Sequence, residues 1–101
     1  MILELADLLT YPGQQAEFEQ AVRRGVETVI AKARGFRHYS LRRSVESPER
    51  YILQIEWDSL EDHTLGFRGT LAAVEWRSIV DPYFACAPQV EHFDLVATSS
   101  D

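Results

Sequence analysis

The segment from Ile2 to Thr10 limits the possible folds more than any other, because it is apolar on both of its faces. With the period of two of a β-strand, Ile2, Ala6 and Leu8 share one side with Glu4, while Leu3, Leu5 and Leu9 share the other with Asp7. A strand with one face in water carries polar residues on that face; one covered on both faces does not. This strand therefore belongs inside a sheet whose two faces are both buried.

Pro12-Gly13 breaks the strand and opens a helix. Phe18, Val22, Val26, Val29, Ile30 and Ala33 form its apolar stripe, with Glu17, Glu19, Arg23, Arg24 and Glu27 on the other side. Gly35 is a natural C-terminal stop. Phe36 to Val45 reads as a second strand, in which Phe36, His38, Ser40 and Arg42 alternate with Arg37, Tyr39, Leu41 and Arg43. After the polar turn Glu46-Ser47-Pro48-Glu49, the third strand, Tyr51 to Trp57, sets Tyr51, Leu53, Ile55 and Trp57 on one face. These two strands are expected to form an antiparallel hairpin. Ser59-Leu60-Glu61-Asp62 is a variant of the capping box and starts a second helical stretch. Gly66 and Gly69 weaken its middle and divide it in two. Phe67, Leu71, Val74 and Ile79 are its expected inward residues, and Asp81-Pro82 ends it. A connector from Tyr83 to Pro88 leads to a last strand, Gln89 to Val96.

The order β-α-β-β-α-β is an α+β, ferredoxin-like arrangement, with an antiparallel sheet and helices on one face. The expected domain is residues 1–97, followed by a frayed tail, 98–101. The open face of the sheet needs a cover, and a second copy is the simplest one, giving a symmetric homodimer packed sheet to sheet.

Charge narrows the partners. At 101 residues and a net charge of −6, with Arg23-Arg24 and Arg42-Arg43 the main basic spots, the chain lacks the clustered positive surface that nucleic acid or an anionic membrane requires. No apolar run approaches the roughly 18 residues of a membrane span. The opening MILELADLLTYPG is too short and too acidic for a signal peptide, and Cys86 has no partner cysteine. Both point to the cytoplasm.

Larger motifs then accumulate: Tyr11-Pro12-Gly13 with Glu17 and Phe18; Gly35-Phe36; and Tyr51-x-Leu53-x-x-Glu56-Trp57-x-Ser59-x-Glu61-x-His63. Phe67-Arg68, Trp76-Arg77, Asp81-Pro82-Tyr83-Phe84 and Pro88-x-Val90-x-His92-Phe93 follow. On these residues the chain resembles the antibiotic biosynthesis monooxygenase family from Ile2 to Val96. The resemblance implies a dimeric α/β barrel of ferredoxin-like protomers. It also implies oxidation of an aromatic phenol or quinol by dioxygen with no bound cofactor. Another branch of the family oxidises haem, using an Asn on the first strand, a Trp on the second helix and an axial His. Those positions fall near Ala6, Gly66 and Trp76, and none has the required side chain.

Cofactor-free oxygenation makes the substrate the electron donor, so the substrate must first be deprotonated. His63 is the candidate base, since an imidazole titrates in the useful range; it also suits a cap at a helix start. Arg68 or Tyr83 is the candidate stabiliser of the substrate anion, and Arg68 suits equally an ion pair with Glu61 or Asp62. Trp76, Phe67 and Trp57 are candidate apolar walls or core, Phe84 a rim, and His92 and Tyr39 further substrate contacts. The three histidines show no metal-ligand spacing, and Cys86 has no neighbouring base to activate it. The same cavity without chemistry makes a small-molecule-binding or sensing dimer, and aromatic residues that are all core make a purely structural dimerisation domain.

Overall fold

The computed structural model describes residues 1–99. Its elements run β1 (Ile2–Leu9), α1 (Gln15–Thr28), β2 (Phe36–Arg43), β3 (Arg50–Trp57), α2 (Leu60–Thr64), α3 (Leu71–Val80) and β4 (Gln89–Asp94), with 3-10 turns at Ile30–Lys32 and Asp81–Tyr83. The sheet order is β2-β3-β1-β4, and each neighbouring pair is antiparallel. This is the expected ferredoxin-like α+β fold. Ser100 and Asp101, part of the tail expected to fray, lie outside the described residues.

One face of the sheet carries the core. Ala6 and Leu8 of β1 join Tyr51, Leu53, Ile55 and Trp57 of β3 against Phe18, Val22 and Val26 of α1 and Phe67, Ala73 and Val80 further on. Each large apolar side chain withdrawn from water here contributes about 1.5–3 kcal/mol. Among the described residues no helix lies over the opposite face. Leu3 and Leu5 are half-buried there, and Leu9 and Phe93 remain about 40% open (39% and 42%).

Four expectations need correction. The alternation of β2 is interrupted between Phe36 and His38: Phe36 pairs with Trp57 and His38 with Glu56, so one residue is left over. That bulge puts Phe36, Tyr39 and Leu41 together on the core side and leaves His38 exposed, not on the face of Phe36. The inward face of α3 is also different. Leu71 and Val74 are 88% and 50% exposed, while Ala73 and Val80 are buried with Trp76 and Ile79 beside them. The helix restarts on its own cap, Thr70, whose hydroxyl accepts from the Ala73 amide at 3.2 Å, so its phase does not continue from Phe67. Helix α1 closes at Thr28, before Gly35, because a tighter turn keeps Val29 and Ile30 both inside; Gly35 instead takes a φ of +86° at the entry to β2. Strands β2 and β4 stop at Arg43 and Asp94, short of Val45 and Val96, both of which are exposed.

Candidate active site

Between sheet and helices lies a cavity of about 270 Å³. Glu4, Ala6 and Leu8 of β1 and Leu53, Ile55 and Trp57 of β3 supply its sheet side; Phe67, Ala73, Trp76 and Phe84 supply much of the rest. Arg68, Arg77 and Asp81 are the remaining charged groups on its wall. The segment after α3 is tied to the end of β1: the Thr10 hydroxyl donates to the Tyr83 carbonyl at 2.7 Å, and the Ala85 amide to the Leu9 carbonyl at 2.7 Å. This attachment holds Phe84 at the cavity.

The polar part of the cavity grows from four elements. The cap of α2 forms at Ser59, whose hydroxyl accepts from the Asp62 amide at 3.2 Å; the Asp62 carboxylate reaches back to that hydroxyl, accepting from it at 3.1 Å, and not to the backbone amide of a full capping box. It starts the helix so that His63, its fourth residue, points inward and is 7% exposed. The ring stacks on the Trp57 indole, with centroids 5.4 Å apart and planes 21° from parallel. Trp57 in turn donates its indole N–H to Oε1 of Glu4 at 2.9 Å, and Nε2 of His63 lies 3.4 Å from the same oxygen. The β1–β4 register sets His92 directly across from Glu4, and its Nε2 is 2.8 Å from Nδ1 of His63.

Burial dominates the electrostatics. It raises the Glu4 carboxyl above its ordinary value, opposed by the Trp57 hydrogen bond and the positive charge of Arg68. It pushes His63 down to about 4, helped by Arg68 and then by His92. His92 is lowered by burial and by Arg68. The His63–Glu4 contact therefore joins a ring and a carboxyl whose charged forms are both disfavoured by burial, and at 3.4 Å it is longer than a formed N–H···O hydrogen bond.

The structure brings most of the sequence candidates together. His63, Arg68, Trp57, Phe67, Trp76 and Phe84 line the cavity. His92 touches His63 but is not part of the lining. Arg68 makes no ion pair among the described residues, with Glu61 and Asp62 included. Tyr83 is half-buried and meets Thr10 through its backbone carbonyl. Tyr39 lies elsewhere, donating to Glu27 at 2.9 Å beside an open groove shared with Glu19, Arg43 and Tyr51. Glu4 is a cavity residue that no motif singles out, although the chain carries a signal for it: a carboxylate on the core side of a strand between Ile2 and Ala6 needs partners. Among the described residues, no group of three or more His, Cys, Asp or Glu is arranged to hold a metal, and no helix is long and apolar enough to cross a membrane.

Comparison with known proteins follows the same line. Residues 1–78 match the family described as antibiotic biosynthesis monooxygenase. The uncharacterized protein YczJ of Bacillus subtilis is 38% identical over 96 residues, covering 95% of this chain and 100% of that protein. A solved Bordetella bronchiseptica structure classed with the antibiotic biosynthesis monooxygenases is also 38% identical, with a TM-score of 0.88 over 95% of this chain and 97% of that one. SnoaB of Streptomyces nogalater, a cofactor-independent oxygenase, shares the fold at 15% identity, with a TM-score of 0.83 over 99% of this chain and 97% of that one. The monooxygenase from the ActVA-Orf6 gene of Streptomyces coelicolor, solved with nanaomycin D, does so at 14% identity, with a TM-score of 0.83 over 99% and 91%.

Proposed function

Because the chain belongs to the antibiotic biosynthesis monooxygenase family, we propose that it is a cofactor-independent monooxygenase acting with dioxygen on a small aromatic, phenolic or quinol-type substrate. One observation carries this reading: an imidazole, a carboxyl and a guanidinium, from His63, Glu4 and Arg68, converge on an aromatic-walled cavity inside the fold of that family. The volume, about 270 Å³, is near the lower end for small-molecule sites, roughly 300 Å³ and above. Phe67, Trp57 and Trp76 offer flat apolar area to a ring. His63, or Glu4 in contact with it, takes the substrate proton, and Arg68 holds the negative charge that develops on the substrate oxygen. The anion then reduces dioxygen. For an activated methylene, one oxygen atom replaces two hydrogens to give a carbonyl, and the other leaves as water. Tyr83 has no place in this scheme, since its ring is not part of the cavity wall.

The same reading assigns the uncovered sheet face, with Leu3, Leu5 and Phe93, to a second copy of the chain. A reducing compartment, the cytoplasm, suits the exposed free thiol of Cys86. A second reading, a non-catalytic small-molecule-binding or sensing dimer, is favoured by the burial of His63, which pushes its pKa down to about 4 and makes the ring alone a weak proton acceptor.

Oxygen consumption with a panel of hydroquinones, anthrones and phenols, with no cofactor added and with anaerobic controls, separates the two. Protein-dependent uptake that is lost in His63→Ala, with assembly retained, supports the oxygenase. Saturable binding of a panel member without uptake moves the assignment to the binding dimer.

A further inference from the structure

Three titratable side chains, each from a different element, meet between the cavity and the edge strand of the sheet: Glu4 on β1, His92 paired with it on β4, and His63 on α2 in contact with both. Glu4 and His63 line the cavity, whereas His92 is half-buried on the edge strand outside it. Each imidazole has two ring nitrogens, and a ring that bonds through both takes a proton at one while releasing another from the opposite side. His63 is placed for this, with Nδ1 at 2.8 Å from His92 Nε2 and Nε2 at 3.4 Å from Glu4 Oε1.

We propose that Glu4, His63 and His92 form a proton relay between the cavity and solvent, with Glu4 as the group that stores the proton. Moved in one concerted shift, the protons leave no charged imidazole at either end. With Glu4 ionised, His92 Nε2–H donates to His63 Nδ1, and His63 Nε2–H points at Glu4 Oε1. A proton from water binds Nδ1 of His92. The Nε2 proton of His92 passes to Nδ1 of His63, and the Nε2 proton of His63 passes to Oε1 of Glu4. One proton has entered, Glu4 is neutral, and both rings are neutral in the other tautomer. The reverse sequence discharges Glu4.

The surroundings favour this route. Burial and the Arg68 charge oppose an imidazolium at either histidine, so transfer through neutral tautomers is favoured over a stable cation. Burial also raises Glu4 above the ordinary carboxylate value, which favours its holding a proton. The groups facing the relay are the Trp57 N–H from β3, Arg68 between α2 and α3, and, across the same cavity, Arg77 of α3 and Asp81 just after it. The contact of 3.4 Å is the step that must shorten; catalytic hydrogen bonds in unliganded sites are often long. In the oxygenation proposed above, on which this part rests, Glu4 accepts the substrate proton and His63 and His92 act as positioning residues that reset it. The relay itself requires no substrate.

Imidazole nitrogen NMR on the intact, histidine-labelled protein tests it. On raising the pH, His63 and His92 should change together from the Nδ1–H to the Nε2–H tautomer, at one midpoint, and Glu4→Gln should abolish the change in both. Separate midpoints, a histidine that keeps one tautomer throughout, or a switch that survives in Glu4→Gln would each overturn the relay. The wild-type titration decides the matter even if Glu4→Gln does not fold. Oxygen consumption with anthrone distinguishes the two readings: a coupled switch without uptake leaves the relay standing and removes the oxygenase. Where uptake is found, Glu4→Gln should reduce it on the order of 100-fold or more, and wild-type uptake in that variant removes Glu4 as the base.

Discussion

Replacing Gly25 with alanine tests how tightly the cavity wall is built into the core. Gly25 is buried in α1, and an added Cβ would sit 2.6 Å from Cε3 and 2.7 Å from Cζ3 of Trp76. Carbon atoms in contact prefer about 3.5–4.0 Å, so the indole must withdraw by about 1 Å. Two opposing magnitudes decide the sign. Alanine gains about 1 kcal/mol over glycine in a helix interior. Forcing extra volume into a packed core costs about 1–3 kcal/mol. The expected net effect is a loss of about 1 kcal/mol, which for a domain near this size lowers Tm by about 4–8 °C. Because Trp76 lines the cavity, ligand affinity should change as well. The clash involves only the benzo ring of the indole, so Trp76→Phe should relieve it. Urea denaturation of Gly25→Ala, Trp76→Phe and the double variant forms a cycle, with an expected favourable coupling of about 1 kcal/mol or more. A Gly25→Ala protein more stable than wild type, as propensity alone requires, or a cycle without coupling would refute the reasoning.

Other expectations follow from the same contacts. Glu4 has a folded pKa raised above 4.5, so its contribution to stability is present below pH 4.5 and is lost as pH rises through the folded value. Glu4→Gln should therefore gain stability over wild type on the alkaline side and none below pH 4.5, read from urea midpoints; a constant offset at every pH would count against it. His63 works in the opposite sense. Its pKa falls from 6.5 to about 4, so its contribution is full above pH 6.5 and is lost as pH falls through about 4. Wild type should weaken over that interval and His63→Gln less so, by the same assay. Trp57→Phe removes the donor to Glu4 and part of a fully buried ring, and should cost about 2–4 kcal/mol in denaturant unfolding. A loss under 1 kcal/mol would show that the indole N–H is dispensable. Leu5→Glu puts a charge on the uncovered sheet face and should turn the proposed dimer into a monomer by light scattering; an assembly unchanged from wild type would count against that face as the interface.

Much of the fold is legible in the chain because period and punctuation are local. The alternation of Tyr51, Leu53, Ile55 and Trp57 predicts a strand with one buried face, and all four are buried. Ser59 and Asp62 mark a helix start, and they form that cap. What failed locally failed for local reasons that leave a weak trace: a bulge after Phe36 and a second cap at Thr70 each shift the phase of the residues that follow. The site was legible only as a set of residue types. His63, Arg68, Trp76 and Phe67 follow from composition and resemblance, but Glu4 and His92 stand 59 and 29 residues from His63 in sequence. Their meeting depends on strand register, which pairs β1 with β4 and sets Glu4 opposite His92. By itself the sequence determined the elements, their order and the sign of the surface charge, since these depend on neighbours along the chain. Only the tertiary structure decided which carboxyl faces which imidazole, because burial and a few ångströms of separation, set by pairing between distant segments, control how those groups hold a proton.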